Sequence, residues 1–158
     1  MPQKASAAKK ANDDLLKLDN QLCFALYATS RAVTSVYRPA LDEMGLTYPQ
    51  YLVMLVLWER QTASVGELGE HLYLDSGTLT PLLKRLEKHG LIIRSRGSGD
   101  ERQVNISLTL AGARMKRRAG SIALSLKCKL QLPVDKVNAL RHELNQLLKA
   151  AIGSEETA

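Results

Sequence analysis

Between residues 79 and 109 the hydrophobic period of this 158-residue chain changes once, and that change limits the fold more than any other feature. Leu79, Leu82, Leu83 and Leu86 recur at steps of three and four, a buried stripe on a helix. Asp75 or Ser76 can cap its start. KHG, residues 88 to 90, ends it with a basic last turn and a C-terminal glycine. LIIRS, residues 91 to 95, is then β-prone, and RGSGDER, residues 96 to 102, is a polar, glycine-bearing turn. QVNISLT, residues 103 to 109, alternates, with Val104, Ile106 and Leu108 on one face. Two such runs around a turn read as a β-hairpin.

The rest of the chain reads as helix. Asp19 is a good N-cap, and Leu22, Leu26, Thr29, Val33, Val36 and Ala40 follow with helical spacing. No Gly or Pro interrupts residues 19 to 38; Pro39 is expected to kink the last turns before Gly45 ends them. TYPQ, residues 47 to 50, has the spacing of a capping box, with Pro49 tolerated in a first turn. YLVMLVLW, residues 51 to 58, is apolar all round and is expected at the centre of the domain. SVGE, residues 64 to 67, announces a short helix edged by Leu68 and Leu72, and LDSGT breaks it. A long helix is expected from Leu110 to Leu130, and Pro133 separates it from one more. Residues 1 to 13 lack periodicity and read as a flexible tail before a single domain at 14–152.

Helix, short turn, helix and hairpin is the order of a winged helix-turn-helix: mainly α with a small β-hairpin. The second helix of such a pair enters the major groove, and its first residues meet base edges. Here those residues are Ser76, Gly77, Thr78 and Thr80. They are small enough for close approach, and the hydroxyls can bond bases or phosphates. Lys84, Arg85 and Lys88 follow within reach of phosphates. The hairpin carries Arg94, Arg96 and Arg102, and an arginine at a hairpin tip can enter the narrow minor groove. The net charge of +6 is a moderate basic bias, consistent with an anionic partner such as nucleic acid.

LDSGTLTPLLKRLEKHGLIIRSRGSGDERQVNISLTLAG resembles the DNA-binding core of the MarR family of bacterial transcription regulators. The family's Asp-x-Arg wing element is present as Asp100, Glu101 and Arg102, followed by the strand and the Leu-Thr-x-x-Gly of the next helix start. The resemblance implies a homodimer bound to double-stranded DNA with a palindromic operator. The terminal helices, about 14–45 and 110–152, would form a dimerisation domain around a DNA-binding core at about 48–109. It also implies that Ser76 and Thr78 face bases, that Lys84 supports phosphate contacts, and that Arg102 enters the minor groove with Asp100 bracing the wing.

LCFALY, residues 22 to 27, is a narrower signature, similar to the organic hydroperoxide resistance regulators within that family. By this resemblance Cys23 is a redox-sensing thiol, and Tyr37 and Tyr48 hydrogen-bond it. Cys128 corresponds to the resolving cysteine of the two-cysteine type, which forms an intersubunit disulfide with the sensor. The signal would be an organic hydroperoxide, and its effect the release of DNA by a repressor. Without the resemblance, Cys23 reads first as a small hydrophobe filling a core. Its place near a helix start, where the dipole favours negative charge, suits a reactive sulfur. Along an unbroken helix Tyr37 lies about 21 Å from Cys23, so a bond between them would have to cross a dimer. Leu22, Phe24 and Leu26 would give the thiol apolar surroundings suited to organic peroxides.

Two other readings keep part of this picture. A MarR-type repressor released by a non-covalent aromatic effector would leave Cys23 merely lining the cleft. A thiol peroxidase would use Cys23 for turnover; the recognition helix and wing arginines weigh against it, and no enzyme activity is expected. His71, His89 and His142 lie in separate elements, so no metal and no cofactor are expected. No apolar run nears the length of a membrane span, and no apolar segment follows the polar N-terminus. A cytoplasmic location, where thiols stay reduced, and no membrane partner are expected.

Overall fold

The computed structural model describes residues 14 to 96 and 103 to 153. A 3₁₀ turn, Leu18–Asn20, precedes α1 (Leu22–Ser35), α2 (Arg38–Glu43) and α3 (Tyr48–Arg60). Strand β1 (Thr62–Ser64) leads to α4 (Val65–Leu72) and α5 (Ser76–Lys88). Strands β2 (Ile92–Arg96) and β3 (Val104–Leu108) follow, then α6 (Leu110–Leu130) and α7 (Val134–Gly153). Among the described residues no helix is long and apolar enough to cross a membrane.

The first helix differs from the expectation at both ends. Asp19 lies in the 3₁₀ turn, and Gln21 precedes α1 without a capping side-chain bond. At the other end α1 stops at Ser35 rather than bending at Pro39. Pro39 has no N–H to give the Ser35 carbonyl, and its ring crowds that carbonyl. The chain restarts as α2 with Pro39 in its first turn, where no N–H is required. The break turns Tyr37 toward α3.

The hairpin gains a third strand. The sheet order is β1-β3-β2, antiparallel throughout, with Ala63 and Arg94 both opposite Ile106. Ile106, on the central strand, is fully buried. Three residues of β1 are too few to show a period of two, so nothing in the sequence marks it.

The core lies where α3 packs over α4, α5 and the sheet, with Met54, Leu57, Leu68, Leu79, Leu83 and Leu86 fully enclosed. α3 is not buried all round: Leu55 is 41% exposed. Both capping boxes form. Thr47 N–H donates to the buried Gln50 side-chain oxygen at 2.9 Å. Ser64 accepts from Glu67 N–H at 3.1 Å and donates its own N–H back to the Glu67 carboxylate at 2.6 Å. Ser64→Ala should lower stability by about 1 kcal/mol in urea denaturation.

One junction ties α6 to both the core and the wing. Thr109 caps α6, accepting from Gly112 N–H at 3.0 Å and donating its hydroxyl to the Gly90 carbonyl at 2.6 Å. Thr109 N–H donates to the Leu91 carbonyl at 3.1 Å. A Cβ on Gly112 would stand 2.1 Å from that same carbonyl oxygen, so only glycine fits. The indole N–H of Trp58 donates to the Gly112 carbonyl at 2.8 Å, and Lys116 Nζ donates to the Trp58 carbonyl at 3.0 Å.

Candidate DNA-reading face and thiol site

The turn between α4 and α5 is set by its backbone. Tyr73 takes a left-handed conformation, φ 54°, and Leu74 N–H donates to the Gly69 carbonyl at 3.0 Å. A side chain on Gly69 would press on the Leu74 carbonyl at 2.8 Å. Asp75 then caps α5, accepting from both the N–H and the hydroxyl of Thr78 at 2.8 Å.

Ser76, Gly77, Thr78, Lys84, Arg85 and Lys88 are all exposed on α5. The hydroxyl proton of Thr78 is directed to Asp75, which leaves its oxygen as an acceptor. Thr80 is half-buried, and its hydroxyl donates to the Ser76 carbonyl at 2.6 Å, so it faces its own helix. Arg94 is a strut: its guanidinium stands 3.8 Å from the Glu87 carboxylate, joining β2 to the last turn of α5. Arg96 is exposed at the end of β2. Asp100 and Arg102 lie outside the described residues, as does the side chain of Cys128.

The N–H and the hydroxyl of Thr78 hold the Asp75 carboxyl below its usual value. The cap therefore stabilises α5 at neutral pH and is lost as pH falls through that lowered value. In acid titrations followed by circular dichroism, the stability gap between wild type and Asp75→Asn should close on acidification.

Cys23 is the second residue of α1 and is exposed. Leu22, Phe24, Leu26 and Tyr27 around it are exposed too, and no residue of α1 is buried. From Cys23 to Ser35 the helix rises about 18 Å, and Tyr37 lies beyond its end. Tyr37 and Tyr48 do meet, with ring centroids 5.3 Å apart, but in the same chain they do not meet Cys23. Tyr51 joins them, 6.0 Å from Tyr37 and 6.4 Å from Tyr48. Sequence reading placed Tyr51 only in an apolar run, and nothing there marked it as a site residue. Burial raises the pKa of all three phenols, and for Tyr37 the neighbouring Tyr48 and Tyr51 add to it. They remain hydrogen-bond donors at neutral pH. Tyr48 also lines an open cleft of about 390 Å³ with Arg31, Arg38 and Thr47.

α7 resembles α1 in its exposure. No residue of it is buried, and Val137, Leu140, Leu144, Leu147 and Leu148 form an exposed apolar face at helical spacing.

The family model described as transcriptional regulator SarA/Rot matches residues 35–118, more than half of the chain. The chain belongs to the MarR/SarA family of transcriptional regulators. The regulator is 59% identical over 109 residues to the organic hydroperoxide resistance transcriptional regulator of Bacillus subtilis, spanning 69% of this chain and 74% of that one. It is 45% identical over 158 residues to the HTH-type transcriptional regulator TtmR of Methylorubrum extorquens, spanning 98% of this chain and 81% of the relative. Among solved structures, reduced AbfR bound to DNA matches the regulator with a TM-score of 0.72 at 39% identity, covering 89% of this chain and 99% of that one. AbfR is a Staphylococcus epidermidis protein. Its disulfide-formed structure gives a TM-score of 0.60 at 37% identity, covering 92% and 99%. The regulator thus has the expected winged-helix fold.

Proposed function

We propose that two copies of this regulator form a repressor that holds a palindromic DNA site while Cys23 is reduced and lets go when an organic hydroperoxide oxidises it. The observation that carries this reading is the separation within one chain. An exposed thiol sits on a helix with no buried residue, and a paired donor site, Tyr37 and Tyr48, stands beyond that helix's other end. A second copy, packed on the apolar faces of α1 and α7, unites the two halves and covers what one chain leaves open. Residues 48–109 then read DNA, with Ser76 and Thr78 toward bases, Lys84 and Arg85 toward phosphates, and Arg96 and Arg102 of the wing toward the minor groove.

The chemistry balances without a cofactor. The Cys23 thiolate attacks the terminal oxygen of ROOH: an S–O bond forms, the O–O bond breaks, and the alkoxide leaves, taking a proton from water to become ROH. The sulfenic acid is then attacked by the thiolate of Cys128 of the partner subunit: an S–S bond forms, the S–O bond breaks, and hydroxide leaves, taking a proton from solvent to become water. The disulfide draws α1 toward the partner's α6 and rotates the two reading helices out of register with successive grooves.

Non-reducing electrophoresis after one equivalent of cumene hydroperoxide tests this relay. Wild type should run as a covalent dimer, and Cys23→Ser or Cys128→Ser as monomers. A monomeric wild type with oxidised Cys23 would leave a one-cysteine sensor. An unoxidised Cys23 would end the peroxide reading.

A further inference from the structure

We propose that Trp58 is the positioning residue that couples the tyrosine site to the root of the wing, an inference that rests on the peroxide-sensing reading above. α3 carries aromatic groups toward both ends: Tyr48 opens it, Tyr51 follows within one turn, and Trp58 lies about two turns further. Tyr51 touches both tyrosines of the thiol site on one side and packs edge-on against Trp58 on the other, at 6.1 Å. Trp58 is 3% exposed. Its one donor, the indole N–H, is given to the Gly112 carbonyl at 2.8 Å.

Behind Gly112 there is no slack. The Leu91 carbonyl oxygen stands 2.1 Å from where a Cβ would be. Leu91 also accepts from Thr109, and the next residue begins β2. Lys116 closes the same junction by donating to the Trp58 carbonyl at 3.0 Å. Every link is stiff: ring on ring, a buried hydrogen bond, then backbone against backbone. A close-packed contact of this kind passes a displacement on rather than absorbing it. Moving Tyr37 or Tyr48 therefore shifts Trp58, and with it the point where α6 leaves the wing.

Trp58→Phe keeps most of the ring and removes the N–H. Three quantities decide the matter, read on a labelled duplex that the reduced protein selects from a random-sequence pool. The reduced variant should bind within about threefold of wild type. Its Cys23 should oxidise normally with cumene hydroperoxide, measured by mass spectrometry. After oxidation it should stay on the duplex, where wild type loses about 100-fold in affinity, near the upper range of such couplings. An oxidised variant that lets go like wild type overturns the proposal. Trp58 is the single tryptophan of the chain, so its emission gives a second measurement on unaltered protein. That emission should shift on oxidation in wild type and stay fixed in Cys23→Ser; no shift during DNA release overturns the coupling. Oxidised wild type that remains on the duplex would instead sink the sensing reading, while leaving the geometry of Trp58 as it is.

Discussion

Cys23→Ser should hold its selected DNA duplex at every cumene hydroperoxide concentration that releases wild type. Serine nearly keeps the size of the side chain but has no sulfur to attack the peroxide, so the first bond of the relay never forms. Because Cys23 is exposed on a helix with no buried residue, the substitution leaves the core untouched. The reduced affinities of the two proteins should therefore agree, and the whole difference should appear after peroxide, at about 100-fold. Fluorescence anisotropy of the duplex measures both states. Release of Cys23→Ser by peroxide at wild-type concentrations would move the sensor elsewhere in the molecule.

The second large effect is on stability. Gly112→Ala would drive a methyl group against the Leu91 carbonyl, at a distance of 2.1 Å. The neighbour is backbone already bonded to Thr109, so it has nowhere to go. α6 would have to lift from β2, loosening the Trp58 hydrogen bond as it moved. A loss of about 3 kcal/mol, at the upper end for overpacking, is the expected result in chemical denaturation. Thermal unfolding should fall by roughly 10 °C. Gly66→Ala is the matched control: its nearest neighbour is an ordinary contact with Ser64 Oγ at 3.9 Å. The control should move stability by less than about 1 kcal/mol. Equal effects from the two would mean that the close approach at Leu91 is not what requires glycine.

Much of the fold could be read from residue order because its signals are local. The two capping boxes, the leucine stripe of α5 and the span of α6 are each written within a few turns of chain. What escaped depends on contacts distant in sequence. β1 exists because β3 offers it an edge. Arg94 reads in the sequence as a DNA-contacting arginine of the hairpin, and only the fold sets Glu87 beside it. Tyr51 looked like one more apolar residue, and only the break at Pro39 brings Tyr37 back onto it. The thiol site was legible as a set of residues, but not as a place. Tyr37 and Tyr48 meet, while Cys23 stands near the other end of α1, and residue types alone do not report which copy would supply each in the proposed pair.

The bare apolar faces of α1 and α7 bear on dosage. In the proposed assembly these helices are ordered largely by the second copy, so folding and pairing are one equilibrium. Each tenfold dilution then removes about 1.4 kcal/mol from the assembled state, by mass action. A cell holding few copies would carry not only an emptier promoter but a frailer protein, cleared faster by proteases. A truncated copy that kept α1 and α7 but lost the wing would poison its full-length partners, since every mixed pair would have one hand with which to grip two grooves.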